Sequence, residues 1–160
     1  MQLEEKIRDD FRQQFPFLEG NITIARPRRI SIKVAYANFR EVLEFAMTRE
    51  DLDHLCAITG VDSGENLCFI YHLSRENGLV LNLETCLPKE KPVLETVIPY
   101  FPDAEIYERE LIDLFGAQVH GLPSGNRYPL TDDWPRGEYP LRKDWRPKQE
   151  EPGKEEFKNA

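Results

Sequence analysis

The sequence predicts an α+β fold: a largely antiparallel sheet with helices packed on one face, followed by an extended proline- and aromatic-rich C-terminal arm. Three observations predict it. Apolar residues recur with helical spacing at the start of the chain and again after residue 103. Alternating, β-branched runs separated by Asn-Gly and Ser-Gly turns occupy the middle. Six of the twelve prolines and both tryptophans fall in the last quarter. The 160 residues suffice for one domain with a real core. The expected division is a domain over 1–120, an arm over 121–147 and a solvated tail over 148–160.

Leu3, Ile7, Phe11 and Phe15 form one stripe of an opening helix that Pro16 stops. Ile22–Ile24 and Ile30–Val34 read as a hairpin around Arg26-Pro27-Arg28. Asn38 followed by Glu41 resembles a capping box and predicts a helix from about 38 to 48, with Phe39, Val42, Leu43, Ala46 and Met47 on its apolar face. Leu55–Thr59, Leu67–Leu73 and Leu79–Leu83 read as three more strands, the last two joined at Asn77-Gly78. Two further helices are expected at Pro92–Ile98 and Asp103–Phe115. Beyond Gly121 the prolines remove a backbone donor every few residues, which excludes helix and central strand. Disordered tails lack aromatics, whereas this stretch holds Tyr128, Trp134, Tyr139 and Trp145, so it reads as an arm that packs on something.

Twenty-one basic against twenty-nine acidic residues give a net charge of −8, which repels phosphate backbones and argues against nucleic acid as a partner. The small basic group Arg26, Arg28, Arg29 and Lys33 reads as a solvated hairpin end. The first residues carry no secretory-signal pattern, and apolar runs such as Leu67–Tyr71 fall far short of the roughly 18 residues that span a bilayer. Membrane association is therefore expected only through partners. Three widely spaced cysteines, Cys56, Cys68 and Cys86, fit a reducing compartment better than a disulfide framework.

Catalytic and metal chemistry has little support in the residues. His54 with Cys56, and Cys68 with His72, each share a strand face, but paired ligand spacing is missing and buried core cysteines are the better reading. His120 follows the last helix without a nucleophile or acid at recognisable spacing. Phosphate-binding glycine loops are missing as well.

The informative segment begins at Glu108. On a helical projection Ala104, Tyr107, Leu111, Leu114 and Phe115 share a face that should dock on the sheet, while Arg109 and Asp113 form an i, i+4 pair opposite, flanked by Ile106 and Ile112. Isoleucines beside an outward ion pair suggest contact with another chain; a solvated salt bridge is the plainer alternative. Asp132 to Trp145 is built of the Arg, Tyr and Trp types that dominate interfaces, with prolines that lower the ordering cost, and Arg142 is suited to bidentate bonds. Packing of the arm on its own domain is the alternative there.

Glu108-Arg-Glu-Leu-Ile-Asp-Leu-Phe-Gly116, the loop with His120-Gly-Leu-Pro123 and Arg127, and Tyr139-Pro-Leu-Arg-Lys-Asp144 together resemble the signature of the respiratory complex I 30 kDa subunit family. That family includes the equivalent subunit of membrane-bound energy-converting [NiFe] hydrogenases and formate hydrogenlyases. The resemblance implies a non-catalytic subunit without a prosthetic group in a redox-driven ion pump. It would be held peripherally at the cytoplasmic face of the membrane through partners: a [NiFe]-hydrogenase-like large subunit, a small iron–sulfur subunit and membrane subunits. Iron–sulfur clusters and a [NiFe] site or quinone would belong to the complex. Glu108, Arg109, Glu110, Ile112, Asp113, His120, Arg127, Trp134, Tyr139, Pro140, Leu141, Arg142, Lys143 and Asp144 are the docking residues it implies. Complex I members often carry Gly-His-Pro where this chain has His120-Gly-Leu-Pro123; the short chain and the segment Asp132 to Arg142 lean toward the hydrogenase branch. The 30 kDa subunit of an NADH-quinone oxidoreductase and a stand-alone binding module are the alternatives.

Overall fold

The computed structural model describes residues 3–147; the expected solvated tail at 148–160 lies outside them. The element order is α1 (Leu3–Gln14), β1 (Ile22–Arg26), β2 (Arg29–Lys33), α2 (Tyr36–Arg49), β3 (His54–Asp62), β4 (Asn66–Ser74), β5 (Val80–Pro88), β6 (Val93–Glu95), α3 (Ala104–Phe115) and β7 (Gln118–His120). A short 3₁₀ turn at Pro16–Leu18 closes α1, where proline ends the hydrogen-bond ladder.

The five strands of the main sheet run in the order β1-β2-β5-β4-β3, and every neighbouring pair is antiparallel except β2 with β5. Register settles which side chains meet. Ile22 and Ile24 pair with Ile32 and Ile30, these with Leu83 and Leu81, and those in turn with Tyr71 and Leu73. Ile58 and Gly60 then pair with Tyr71 and Phe69. Because strand side chains alternate, this row is one continuous apolar face across all five strands. Phe39 of α2 lies over Tyr71 with ring centroids 4.6 Å apart, and Phe11 of α1 meets Phe45 of α2 edge-on at 5.0 Å. The helices thus stack on this single face, and Ile7, Phe11, Leu43, Phe69 and Leu81 are completely buried beneath them.

The opposite face stays open and polar. Its centre is a hydrogen-bonded row: the Thr59 hydroxyl and His72 Nε2 are 2.8 Å apart, His72 Nδ1 and Asn82 Oδ1 2.8 Å, and Asn82 Nδ2 donates to Ser31 Oγ at 3.4 Å.

Three expectations are corrected. Residues 92–98 are not a helix: Val93–Glu95 pair in parallel with Gln118–His120, the Pro92 carbonyl accepts from the Gln118 amide, and the Thr96 amide donates to the His120 carbonyl. Valine and threonine suit that extended pairing, and the local helical spacing yields to a partner twenty-five residues away. The helix α2 starts at Tyr36 after Ala35, so Asn38 and Glu41 are inside it, and Asn38 Nδ2 bonds the Glu41 carboxylate instead of capping the helix. Finally, Cys68 and Cys86 face each other across β4 and β5 and are joined by a disulfide, while Cys56 is free and exposed. Two cysteines eighteen residues apart become neighbours only through the strand register.

The helix α3 covers β3. Tyr107 donates to the Cys56 carbonyl at 2.9 Å, and the Phe115 ring lies on Gly60 so closely that a Cβ there would sit 2.5 Å from a ring carbon. Gly60→Ala is therefore expected to destabilise the chain by about 1–3 kcal/mol through overpacking, read as a lower denaturant midpoint at unchanged slope. Combining it with Phe115→Leu should recover part of the loss. An unshifted midpoint would mean that α3 does not rest on β3.

Candidate partner-docking site

The outer side of α3 is where the sequence signature and the arm meet. The Glu108 carboxylate is 1% exposed and points inward: Thr96 Oγ1 donates to it at 2.6 Å and the Val97 amide at 2.7 Å. Burial raises its pKa, with those two bonds acting in the opposite direction. Glu108 faces the interior of this chain and ties α3 to the segment just after β6, where a helix was expected.

Arg109 and Asp113 do not form the expected ion pair. Arg109 binds Glu105, one turn earlier, through Nε at 3.0 Å and Nη2 at 2.7 Å, and donates to the carbonyls of Pro123 at 2.9 Å and Asn126 at 3.4 Å. Asp113, buried, accepts from Arg127 Nε at 3.3 Å and the Leu130 amide at 3.2 Å. Each residue faces the returning chain because residues 121–130 run back along the helix. An arginine with carbonyl acceptors and a shielded carboxylate with an incoming guanidinium have no cause to turn toward each other.

The end of α3 is a second anchor. Gly116 closes the helix at φ +72°, its amide bonding the Ile112 carbonyl, and the Tyr139 ring packs so near that a Cβ would lie 2.5 Å from it. Arg142 Nε donates to the Phe115 carbonyl at 2.6 Å, with its guanidinium 4.7 Å from the Tyr139 ring centre. Leu141 continues the contact through its amide to the Leu114 carbonyl at 3.1 Å, leaving its side chain 52% exposed.

The third anchor joins Lys143 and Asp144 to the β3–β4 turn. Asp62 Oδ2 accepts from Lys89 Nζ at 2.6 Å and the Lys143 amide at 2.8 Å, Oδ1 accepts from the Gly64 amide at 2.8 Å, and Lys89 reaches on to Asp144 at 2.8 Å. Burial alone would raise the Asp62 pKa, but the lysine and the two amides outweigh it and hold the carboxyl at about 2. Between the anchors, Arg127 donates to the Trp134 carbonyl at 2.7 Å, the Trp134 indole to the Glu138 carbonyl at 2.9 Å, and Trp134 and Trp145 lie 5.7 Å apart. The arm is therefore tied to its own domain at these three anchors, while Trp134, Glu138 and Trp145 bond to one another within the arm.

Of the other expected docking residues, Glu110 and Ile112 are half-buried on α3, Pro140 is half-buried in the arm, and exposed His120 sits on β7 with Nδ1 3.5 Å from Glu95. The structure adds Asp62, Lys89, Thr96, Glu105 and Pro123. Asp62-Ser-Gly64 was legible as a turn, but its arm partner lies 81 residues away. Large apolar side chains stay exposed beside these bonds: Ile106 at 45% exposure and Tyr128 at 40% border one open cleft with Pro102, Asp103, Glu105 and Arg109, and Leu141 sits farther along.

With this geometry in place, comparison with known proteins decides the family. The family model for the respiratory-chain NADH dehydrogenase, 30 Kd subunit, matches residues 32–151. The chain belongs to that family. It is 35% identical over 135 residues to a subunit of the F(420)H(2) dehydrogenase of Methanosarcina mazei, covering 82% of this chain and 85% of that one. It is 27% identical over 150 residues to the membrane-bound hydrogenase subunit beta of Pyrococcus furiosus, covering 90% and 87%. Among solved structures, a chain of the membrane-bound sulfane sulfur reductase, described as an archaeal respiratory membrane complex, superposes with a TM-score of 0.77 at 30% identity, covering 89% of this chain and 85% of that one. Homologues of this chain thus belong to membrane-bound oxidoreductase complexes, and among the described residues no helix is long and apolar enough to cross a membrane.

Two outcomes check the arm's anchors. Arg127→Ala leaves buried Asp113 without its guanidinium and should cost about 3 kcal/mol, the lower end for a broken buried pair because the arginine is partly exposed; unfolding by denaturant measures it. Asp62 has a folded pKa below its unfolded one, so its contribution is complete above about pH 4 and is lost as pH falls toward about 2. Asp62→Asn should be less stable at pH 7 and should flatten the acid limb of a stability–pH profile in that window, whereas an unchanged acid limb would remove Asp62 as an anchor.

Proposed function

We propose that this chain is a non-catalytic, peripheral subunit of a membrane-bound, ion-translocating oxidoreductase of the complex I and energy-converting hydrogenase type. It docks on the large subunit through the outer side of α3 and the arm. The carrying observation is that α3 and the arm form one hydrogen-bonded unit in which Arg109, Asp113, Arg127 and Arg142 are used internally, while Ile106, Tyr128 and Leu141 stand exposed. Exposed aromatic and aliphatic side chains on a preorganised frame are what a partner buries at least ordering cost. Arg109 serves this reading by holding the 123–126 loop in place. In the assembled complex the clusters, the [NiFe] site or the quinone belong to partner subunits, and this chain stands on the cytoplasmic face.

The lean toward the hydrogenase branch gains nothing from the relatives, which include an F(420)H(2) dehydrogenase subunit and a hydrogenase subunit alike. The proposal is therefore the shared role.

Ile106→Asp and Leu141→Asp place charges at two exposed side chains that make no anchor bond, the Leu141 amide keeping its bond to the Leu114 carbonyl. Each should leave the melting temperature of the isolated chain within about 2 °C of the wild type and reduce recovery of the large subunit with the tagged chain at least tenfold. Native mass spectrometry of the purified complex identifies the neighbours. Full recovery of the large subunit by both variants would move the interface elsewhere.

A further inference from the structure

The open face of the sheet carries a group that the docking reading does not use. Cys68 and Cys86 lie directly opposite each other on β4 and β5, on the polar side away from the helices. Their surroundings differ. Cys68 is 5% exposed, whereas Cys86 is exposed at the surface of the isolated chain. Ser63 Oγ lies 3.5 Å from Cys68 Sγ, and a disulfide sulfur carries no proton, so the hydroxyl is the donor. Glu84, half-buried two residues before Cys86, places Oε1 3.7 Å from Cys86 Sγ and is itself 3.4 Å from Lys33 Nζ.

We propose that Cys68 and Cys86 form a reversible thiol–disulfide exchange site, attacked at Cys86 by small or protein dithiols from the open face of the sheet. The asymmetry assigns the direction. An incoming thiolate reaches Cys86, the exposed cysteine of the pair, and forms a mixed disulfide there as the Cys68–Cys86 bond breaks. The leaving Cys68 thiolate receives the Ser63 hydrogen bond, which stabilises the developing charge and speeds its departure. The second thiol of the dithiol then displaces Cys86 as a thiolate. Overall the dithiol gives up two electrons and two protons and becomes a disulfide, and Cys68 and Cys86 become two thiols. Glu84 stands at the exposed cysteine as proton acceptor for the attacking thiol and returns that proton to Cys86, the proton of the second thiol passes through solvent to the Cys68 thiolate, and Lys33, in contact with Glu84, is a cation beside the site. The bonded pair joins the start of β4 to the end of β5, next to Lys89 and the Asp62 turn that hold Lys143 and Asp144, so the exchange site sits at the root of the arm's third anchor.

The test uses the full chain under native conditions. Dithiothreitol is added, thiols are alkylated with iodoacetamide, and mass spectrometry counts and maps the adducts, Cys56 serving as an internal control because it is free in both states. The expected result is one alkylated cysteine before reduction and three after it, with the pair re-forming when the reductant is removed. A brief pulse of reduced glutathione, quenched with acid, should place the mixed disulfide on Cys86. Ser63→Ala should slow native reduction about fivefold, the rate equivalent of one hydrogen bond, with an unchanged melting temperature. A pair that is reduced only in denaturant, two thiols already free in air-oxidised protein, or a glutathione adduct on Cys68 would each overturn the proposal.

Discussion

Phe115 can approach β3 so closely only because residue 60 has no side chain, and the outer half of the molecule depends on that contact. It sets the height of α3 above the sheet. At that height Tyr107 reaches the Cys56 carbonyl and Glu108 reaches the Thr96 hydroxyl and Val97 amide. The short β6–β7 pair then forms on the chain entering and leaving the helix. A helix lifted by one methyl group would lose several of these bonds together, since packed interiors respond to small volume changes by shifting whole elements.

The arm follows from the same placement. A helix ending over the sheet offers unpaired carbonyls at its last turn, and the chain supplies donors to them: the Gly116 amide to Ile112, the Leu141 amide to Leu114, and Arg142 to Phe115. The 121–147 segment has little repetitive structure of its own, so its backbone is held by side chains: Arg109 on two carbonyls, Asp113 on the Leu130 amide and Asp62 on the Lys143 amide. Charged donors and acceptors used this way give stronger, more directional bonds than neutral ones, which suits a strap with no ladder. An acidic chain thereby commits several of its charged groups to its own architecture and presents apolar side chains at the rim of that strap, an arrangement suited to a subunit whose work is to be held.

The two sheet faces divide labour. One carries the apolar row and all three α-helices found among the described residues; the other carries the Ser31, Asn82, His72 and Thr59 row and the cysteine pair. Cross-strand register alone separates them, because a shift of one residue in any strand would exchange its two sets of side chains.

What the sequence determined by itself was local or compositional. The stripe of Ile7 and Phe11, the strand alternations, the Asn77-Gly78 turn and the proline-rich arm follow from periodicity and from backbone limits that act within a few residues. The signature from Glu108 to Asp144 was enough to indicate the family. Tertiary structure decided whatever needed a distant partner. The apolar spacing of 92–98 fits a helix until residues 118–120 offer hydrogen bonds, and Arg109 fits a pair with Asp113 until the arm returns with carbonyls for one and a guanidinium for the other. Glu108, a docking residue by the family resemblance, is buried because an amide and a hydroxyl wait beneath it. The joining of Cys68 to Cys86 and the anchoring of residue 143 by residue 62 were invisible for the same reason: chain separation carries no information about which groups a folded sheet sets side by side.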